Sequence, residues 1–492
     1  MTATLVCGAL ERSGAEIDRR AARLAGALAR LGVEDGGTVA VMLKNHPAYV
    51  DIIQGCRIAG AYYCQINWHF KRDEAGFILN DCGAKVLFIQ PELLAAIAGA
   101  IPAEVQVIVV GPDHAAGEFE SWLAAQAPYA GAPRTPRGHM AYTSGTTGRP
   151  KGVRRLPPTP EQQALAAQVV KDALGIYPGV RSLVSAPLYH SAPSSFAQQS
   201  LLQGSLFVLE EKFDAEATLA LIARHRIDTV YLVPTMYVRL LRLPAEVRSR
   251  HDLSSLKFVA STGSPCAPEV KRAMIDWLGP VIYEAYASSE TGYITVMPPQ
   301  DAARKPGSAG RAVGRAEIRI FDDNGHALPS GEIGTIYAHQ PAYSDFSYHG
   351  NDAARRAIER DGLISVGDMG YLDADGFLYV CDRAADMVIS GGVNIYPAEI
   401  EHVLITLPGI IDCAVVGIPD DEFGESLAAQ VVAEAGATLD AETIRMTLSE
   451  RIAGYKVPRR IDIVDALPRD DNGKVQKRKI RDVYWGGRER KI

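Results

Sequence analysis

Apolar positions over the first 110 residues fall into two alternating rhythms. Between 15 and 31, Leu24, Leu28 and Leu31 share one helical face, and Gly32 follows as a stop. Residues 38–43 then form an unbroken apolar run of strand length, 46–59 return to helical spacing, and 61–66 read as a strand again. The segments 72–80, 85–89, 91–98 and 105–110 continue the exchange. Strands alternating with helices of this length predict a parallel sheet with helices on both faces. Residues 111–137, rich in Gly, Ala and Pro, read as a linker. Beyond it a helix is expected over 161–174 and strands over 181–186, 229–233, 256–261 and 281–286.

The rhythm changes after residue 307. Gly-rich punctuation at 307–314, Asp322-Asp323-Asn324-Gly325 and Gly331–Gly334 signals hairpins, hence a small β subdomain. A last unit is of mixed α+β type. It has an amphipathic helix opening at Pro397, strands over 411–418, 428–434 and 461–464, and a helix over 440–453. The basic C-terminal end reads as a solvated tail. The expected fold is therefore a large α/β N-terminal domain, parallel sheets flanked by helices plus the β subdomain, over 1–382. A smaller α+β domain follows over 383–492.

A chain of 492 residues is long enough for more than one core. Lys+Arg number 51 against Asp+Glu 58, a net charge of −7, which argues against a dedicated nucleic-acid binder. Seven cysteines (Cys7, Cys56, Cys64, Cys82, Cys266, Cys381, Cys413) show no Cys-x-x-Cys pair, so disulfides or zinc are not expected and a reducing cytoplasm fits. The N-terminus has no basic stretch ahead of its short apolar run, unlike a signal peptide, and no apolar run is long enough to span a membrane.

The candidate chemistry centres on 139–153. An apolar strand there enters Thr143-Ser144-Gly145-Thr146-Thr147-Gly148-Arg149-Pro150-Lys151-Gly152. Glycines let the backbone approach a ligand closely, while the hydroxyls, turn N–H groups and Lys151 suit phosphate oxygens. The spacing is not that of Walker A. The string Tyr142 to Gly152 resembles the phosphate loop of the adenylate-forming superfamily, which includes the acyl-CoA synthetases. Further motifs agree in order over 15–480: Tyr189-His190, Thr262-Gly263-Ser264-Pro265, Tyr286-Ala287-Ser288-Ser289-Glu290, Gly367-Asp368, Arg383, Ser390-Gly391-Gly392, and Leu467-Pro468-Arg469 ahead of Lys474.

The resemblance implies roles for these residues. The 143–152 loop and Lys151 would hold ATP phosphates, and Glu290 with Thr146 would hold Mg²⁺, which is content with one or two carboxylates plus phosphate oxygens. Gly263, Ser264, Pro265, Glu284, Ala285 and Tyr286 would contact adenine, Ser289 the α-phosphate, and Asp368 and Arg383 the ribose. His190 would flank the carboxylate and the thiol tunnel, Gly391 and Gly392 would line the pantetheine arm of CoA, and Lys474 would bridge carboxylate and α-phosphate. Four positions depart from the usual pattern: Pro193-Ser194 and Ala287 where glycine is common, Asp382 for another glycine, and Ala385 for a hinge Asp or Lys. The implied reaction is ATP-dependent ligation of a hydrophobic carboxylic acid, of fatty, aryl or steroid-side-chain type, to CoA through an acyl-adenylate. The second domain would be mobile, and a homodimer is compatible with this reading. The alternative is a free-standing adenylation enzyme that loads a carrier protein.

Overall fold

Val39, Ala40, Val41 and Met42 are all essentially inaccessible to solvent, as a central parallel strand with both faces covered requires. In the computed structural model, which describes residues 2–114, 117–143, 150–383, 385–391, 393–469 and 474–486, this strand lies inside a seven-stranded sheet. Thr38–Met42 pairs in parallel with Tyr62–Gln65 and Ala84–Ile89, which extend to His139–Thr143 and Gln106–Val109. Lys151–Arg155 and Phe346–Tyr348 close one edge in antiparallel sense.

A nine-stranded sheet stands beside it. Its parallel centre runs from Thr4–Cys7 through Leu206–Leu209, Arg181–Val184, Thr229–Tyr231 and Phe258–Thr262 to Ile282–Ser288. The last of these turns back through Gly292–Met297 as a hairpin. One apolar core joins the two sheets, with Leu24, Leu28, Tyr49, Phe88, Phe196 and Tyr231 among its buried members. The hairpin-rich stretch builds a six-stranded antiparallel sheet containing Gly334–His339, Asp368–Leu372 and Leu378–Arg383. Arg311–Ala312 instead joins the edge of the nine-stranded sheet. The C-terminal unit has its own five-stranded sheet, organised by the long hairpin Ile410–Asp420 and Gly424–Ala433.

Two segments differ from their expected form. The 111–137 linker contains the helix Glu118–Ala124, whose Phe119 and Leu123 are buried. Its Glu120 pairs with Arg12 and Arg20 (3.0 and 2.7 Å), which also share the fully buried Asp51 (3.2 and 2.8 Å). Two carboxylates facing two guanidiniums leave no charge unpaired, as burial demands. Of the expected C-terminal tail, the part within the described residues is not solvated, and residues 487–492 lie outside them. Lys477–Trp485 forms a helix with Ile480 buried, the Trp485 indole N–H donating to Gly417 O at 3.0 Å, and the Tyr484 hydroxyl donating to Asp462 at 2.5 Å. Lys477 and Arg481 are held in ion pairs with Glu401 and Asp386 beside Ile480, while Arg478 and Lys479 face solvent. A count of charges along the sequence hides that division.

Candidate active site

The strand His139–Thr143 delivers Thr143 to the start of the hydroxyl-rich loop, and Lys151 begins the returning strand. Loop residues Ser144, Gly145, Thr146, Thr147 and Gly148, like Gly392, lie outside the described residues. Across from the loop, the turn of the Ile282–Ser288/Gly292–Met297 hairpin presents Glu290. This carboxylate is 7% exposed, and its Oε1 accepts hydrogen bonds from the Thr143 hydroxyl (3.2 Å) and the Tyr348 hydroxyl (3.0 Å). No described residue donates to Oε2. One buried carboxylate whose second oxygen takes no hydrogen bond from a described residue, beside Thr143, fits a magnesium ion that takes its remaining ligands from phosphate and water.

The turn itself is held from behind by Arg155, which donates to the carbonyls of Ser289 (3.0 Å), Glu290 (2.6 Å) and Ser344 (2.7 Å). Burial pulls the Arg155 guanidinium below its usual range. Three carbonyl partners are what keeps such a group acceptable indoors. The Lys151 ammonium stands 5.1 Å from the centre of the Tyr348 ring.

A second cluster forms where the β subdomain meets the nine-stranded sheet. Asp368 and Arg383 are direct partners on adjacent antiparallel strands. The Asp368 carboxylate accepts from the Tyr286 hydroxyl at 2.6 Å and lies 3.4 Å from Arg383 Nε. Burial, then the Asp368 charge, pushes the Tyr286 phenol up, so it stays a proton donor. The carboxylate is thereby set in place to accept hydrogen bonds from a diol. Gly263 ends the turn after Phe258–Thr262 with φ +96° and open space where a side chain would stand, so the backbone can lie close to a ligand there. Ser264 and Pro265 follow it at the surface. Ala285 is buried in the sheet, and Glu284 forms a buried ion pair with Lys271. That pair ties the strand to the helix Pro268–Leu278.

His190 caps the helix Ser191–Gln203, and the Ser191 hydroxyl reaches the Ser289 hydroxyl at 3.0 Å. This joins the histidine to the Glu290 turn. The His190 ring is 4.1 Å from that of Tyr189, and its Nε2 is buried without a hydrogen bond to a described residue. Burial, followed by the charge of Lys474, drops the His190 pKa to about 3.

Arg383 ends a strand of the β subdomain, and the first strand of the C-terminal five-stranded sheet is Val388–Ser390. Asp382 accepts from the Ala398 backbone N–H (3.0 Å) and lies 3.6 Å from Lys477, which pairs with Glu401 at 3.0 Å. Arg481 donates to Ala385 O at 3.0 Å. Gly391, with φ +57°, hydrogen-bonds to Phe423 O through its N–H.

Sequence reasoning overlooked Arg155 and Tyr348. Arg155 carries a faint signal, a basic residue closing the strand that leaves the loop. Tyr348 carries none, because only its antiparallel pairing opposite Val153 brings it to Glu290.

The comparisons agree with this architecture. The profile of the AMP-binding enzyme family matches residues 3–345, and that of the AMP-binding enzyme C-terminal domain matches 399–474. A feruloyl-CoA synthase of Amycolatopsis is 34% identical over 95% of this chain and 93% of its own length. An indoleacetate–CoA ligase of Aromatoleum aromaticum is 36% identical over 94% and 91%. ATP-bound MatB from Rhodopseudomonas palustris superposes with a TM-score of 0.87 at 30% identity, covering 98% of this chain and 96% of that one, and apo MatB with 0.76. The chain belongs to the adenylate-forming superfamily, in the acyl-CoA synthetase family. It is an AMP-forming acid–thiol ligase that joins a carboxylate to CoA by way of an acyl-adenylate.

Proposed function

We propose that this ligase activates an aromatic carboxylic acid, with ATP and Mg²⁺, in the arrangement described above. The observation that carries the reading is the 3.0 Å contact of the Ser191 and Ser289 hydroxyls, which ties the Glu290 turn to the start of the helix that carries Phe196, whose ring lies 5.7 Å from that of Tyr231. The names of the feruloyl and indoleacetate relatives point the same way.

A carboxylate is a poor acyl donor because its leaving group is an oxide. Attack on the α-phosphorus of ATP gives an acyl-adenylate whose AMP leaves readily. Such a displacement needs positioning and neutralisation of developing charge. Asp368, fixed by Tyr286 and Arg383, orients the ribose. Thr143, Ser144, Gly145, Thr146, Thr147, Gly148 and Lys151 hold the β- and γ-phosphates that depart as pyrophosphate. Glu290, with Thr146, holds Mg²⁺, which when bound supplies positive charge to the phosphate oxygens. Lys474 bridges the attacking carboxylate and the α-phosphate oxygens with a compact, multiply donating ammonium. His190, held neutral, does not repel that ammonium. In the thiol step the unit beyond Arg383 swings, withdrawing Lys474 and bringing Gly391 and Gly392 to the CoA arm. The free thiols of all seven cysteines fit a cytoplasmic enzyme.

The test is mass spectrometry of the products formed with ATP, Mg²⁺ and a panel of aryl and alkyl acids, with and without CoA. Aryl-CoA formed ahead of alkyl-CoA supports the reading. Alkyl acids turned over faster would refute the aromatic assignment, and acyl-AMP accumulating despite CoA would point to a carrier protein as acceptor.

A further inference from the structure

Away from the nucleotide site, three metal-ligating side chains from distant parts of the chain meet beside the core that the two large sheets share. Cys7 ends the strand Thr4–Cys7, and Glu211 follows Leu206–Leu209, its parallel neighbour in the nine-stranded sheet. His114 follows Gln106–Val109, the outer strand of the seven-stranded sheet. The Cys7 thiol donates to Glu211 Oε1 at 3.8 Å, and His114 Nε2 lies 3.3 Å from the same oxygen. All three donor atoms fall within 4.8 Å of one another. Zn²⁺ holding a thiolate, an imidazole and a carboxylate at its usual bond lengths sets the N···O edge of its tetrahedron at about 3.4 Å and the S···O edge at about 3.6 Å. The edges found here are close to both. The side chains also grade from a fully buried Cys7 through His114, 21% exposed, to Glu211, 52% exposed, which gives an ion a way in and lets solvent complete its coordination.

The surroundings suit a cation. A thiolate and a carboxylate together balance the charge of Zn²⁺, with the imidazole neutral. Arg12, whose charge reaches Cys7, is already taken up by Asp51 and Glu120 at 3.2 and 3.0 Å. Its Nη2 also donates to His114 O at 2.8 Å, fixing that residue's backbone, while His46 stands edge-on to the His114 ring at 4.6 Å. Supports of this kind orient a ligand before the ion arrives. Burial, then Glu211, pushes the Cys7 thiol up to about 12, so it would bind by releasing its proton to solvent, as thiols do on meeting a divalent ion. A thiol and an imidazole among the donors favour zinc over magnesium, which takes oxygen ligands. We propose that Cys7, His114 and Glu211 form a Zn²⁺ site, with water in the fourth position, that ties the first strand to the segment leaving the seven-stranded sheet. The lack of a Cys-x-x-Cys pair does not bear on it, because the ligands stand at positions 7, 114 and 211.

The full chain, stripped with a chelator, is titrated with Zn²⁺ and, separately, with Co²⁺, whose bond to a thiolate gives an intense charge-transfer absorption that oxygen and nitrogen ligands do not. The wild type is expected to bind one equivalent of zinc, to show the cobalt–thiolate band, and to unfold at a higher temperature with the metal than without it. Cys7→Ser should abolish the band. His114→Ala should weaken zinc binding by ~10²-fold or more, since even the outer partners of a metal ligand are worth ~10–100-fold. The His114 side chain is part-exposed, and its removal leaves the backbone carbonyl that Arg12 uses, so this variant decides the question if Cys7→Ser fails to fold. No cobalt–thiolate band in the wild type, or zinc bound equally well by His114→Ala, would overturn the site and leave the cluster a hydrogen-bonded ion pair. None of these readouts uses the ligase reaction, so the functional reading stands in either case.

Discussion

The two sides of the active site are built differently. On the large domain, each polar group is locked by its neighbours. Glu290 is gripped by Thr143 and Tyr348, its turn by Arg155, and Asp368 by Tyr286 and Arg383. On the proposed mechanism the C-terminal unit contributes Lys474, an exposed lysine past the strand Arg460–Val464. What holds the unit is a charge network at the boundary, Asp382 with Lys477 and Glu401, and Arg481 on Ala385. The first side is preorganised, and on the proposed mechanism the second is delivered. Damage to the first should impair every step that uses the nucleotide, whereas damage to the second should separate the steps.

The sharpest break is Lys474→Ala. Adenylation is expected to fall by ~10²–10³, the usual loss for one electrostatic contact to a transition state, while thioester formation from supplied acyl-adenylate survives. Stopped-flow or quench measurement of the two half-reactions decides this, and a parallel loss in both would refute the delivered role. Glu290→Gln keeps the two hydrogen bonds but removes the charge, and should cost adenylation ~10², with a raised magnesium requirement in a metal titration. An unchanged magnesium dependence would remove Glu290 from the metal site.

Asp382→Asn weakens the boundary network in the present arrangement, so the ratio of thioesterification to adenylation should rise by ~3–10-fold, equivalent to about 1 kcal/mol. A constant ratio would show that the network is only structural. Tyr286→Phe removes one neutral hydrogen bond from Asp368. A rise of a few-fold in the KM for ATP is expected, within the ~0.5–1.5 kcal/mol such a bond is worth. No change would mean that Arg383 alone positions the carboxylate.

Acidity tests the same contrast with the smallest effect on activity. Burial depresses His190 to about 3, His46 to about 3 and His139 to about 4, all below the ordinary value of 6.5. The native state therefore keeps them neutral while the unfolded chain protonates them. Stability contributed by the neutral forms is complete above pH 6.5 and is lost as pH falls from there toward the folded values, by up to about 1.4 kcal/mol per histidine per pH unit. Denaturant melts from pH 7 to 5 should show this fall. The adenylation rate of still-folded protein should show no histidine limb over that range.

Much of this site was legible without coordinates because its residues sit in ordered local strings. The Ser288-Ser289-Glu290 turn and the Gly367-Asp368 pair each carry a backbone shape and a chemistry within a few residues, while residues 144–149 of the loop lie outside the described residues. The alternation of the first 110 residues likewise announced the parallel sheet, since a strand buried on both faces has to be apolar throughout. Amphipathic segments rich in charge were harder. The helix Glu118–Ala124 sits in a stretch full of Gly, Ala and Pro, and only the Arg12–Asp51–Arg20–Glu120 quartet gives its carboxylate a reason to be inside. The helix Lys477–Trp485 looked like a tail because its apolar face is narrow.

The sequence alone determined the class of reaction and the mix of α/β sheets with a smaller α+β part, and it proposed the phosphate loop and the acidic and basic residues that would serve it. These are properties of short segments, set by side-chain chemistry and periodicity close along the chain. Tertiary structure decided that Tyr348 and Arg155 secure the Glu290 turn, that Asp382 belongs to a charge network with Lys477 and Glu401, and that the Tyr343 ring packs against Gly292 at the hairpin turn. Those pairings join residues tens to hundreds of positions apart. Which distant side chains meet depends on strand register and sheet packing, which no local pattern records.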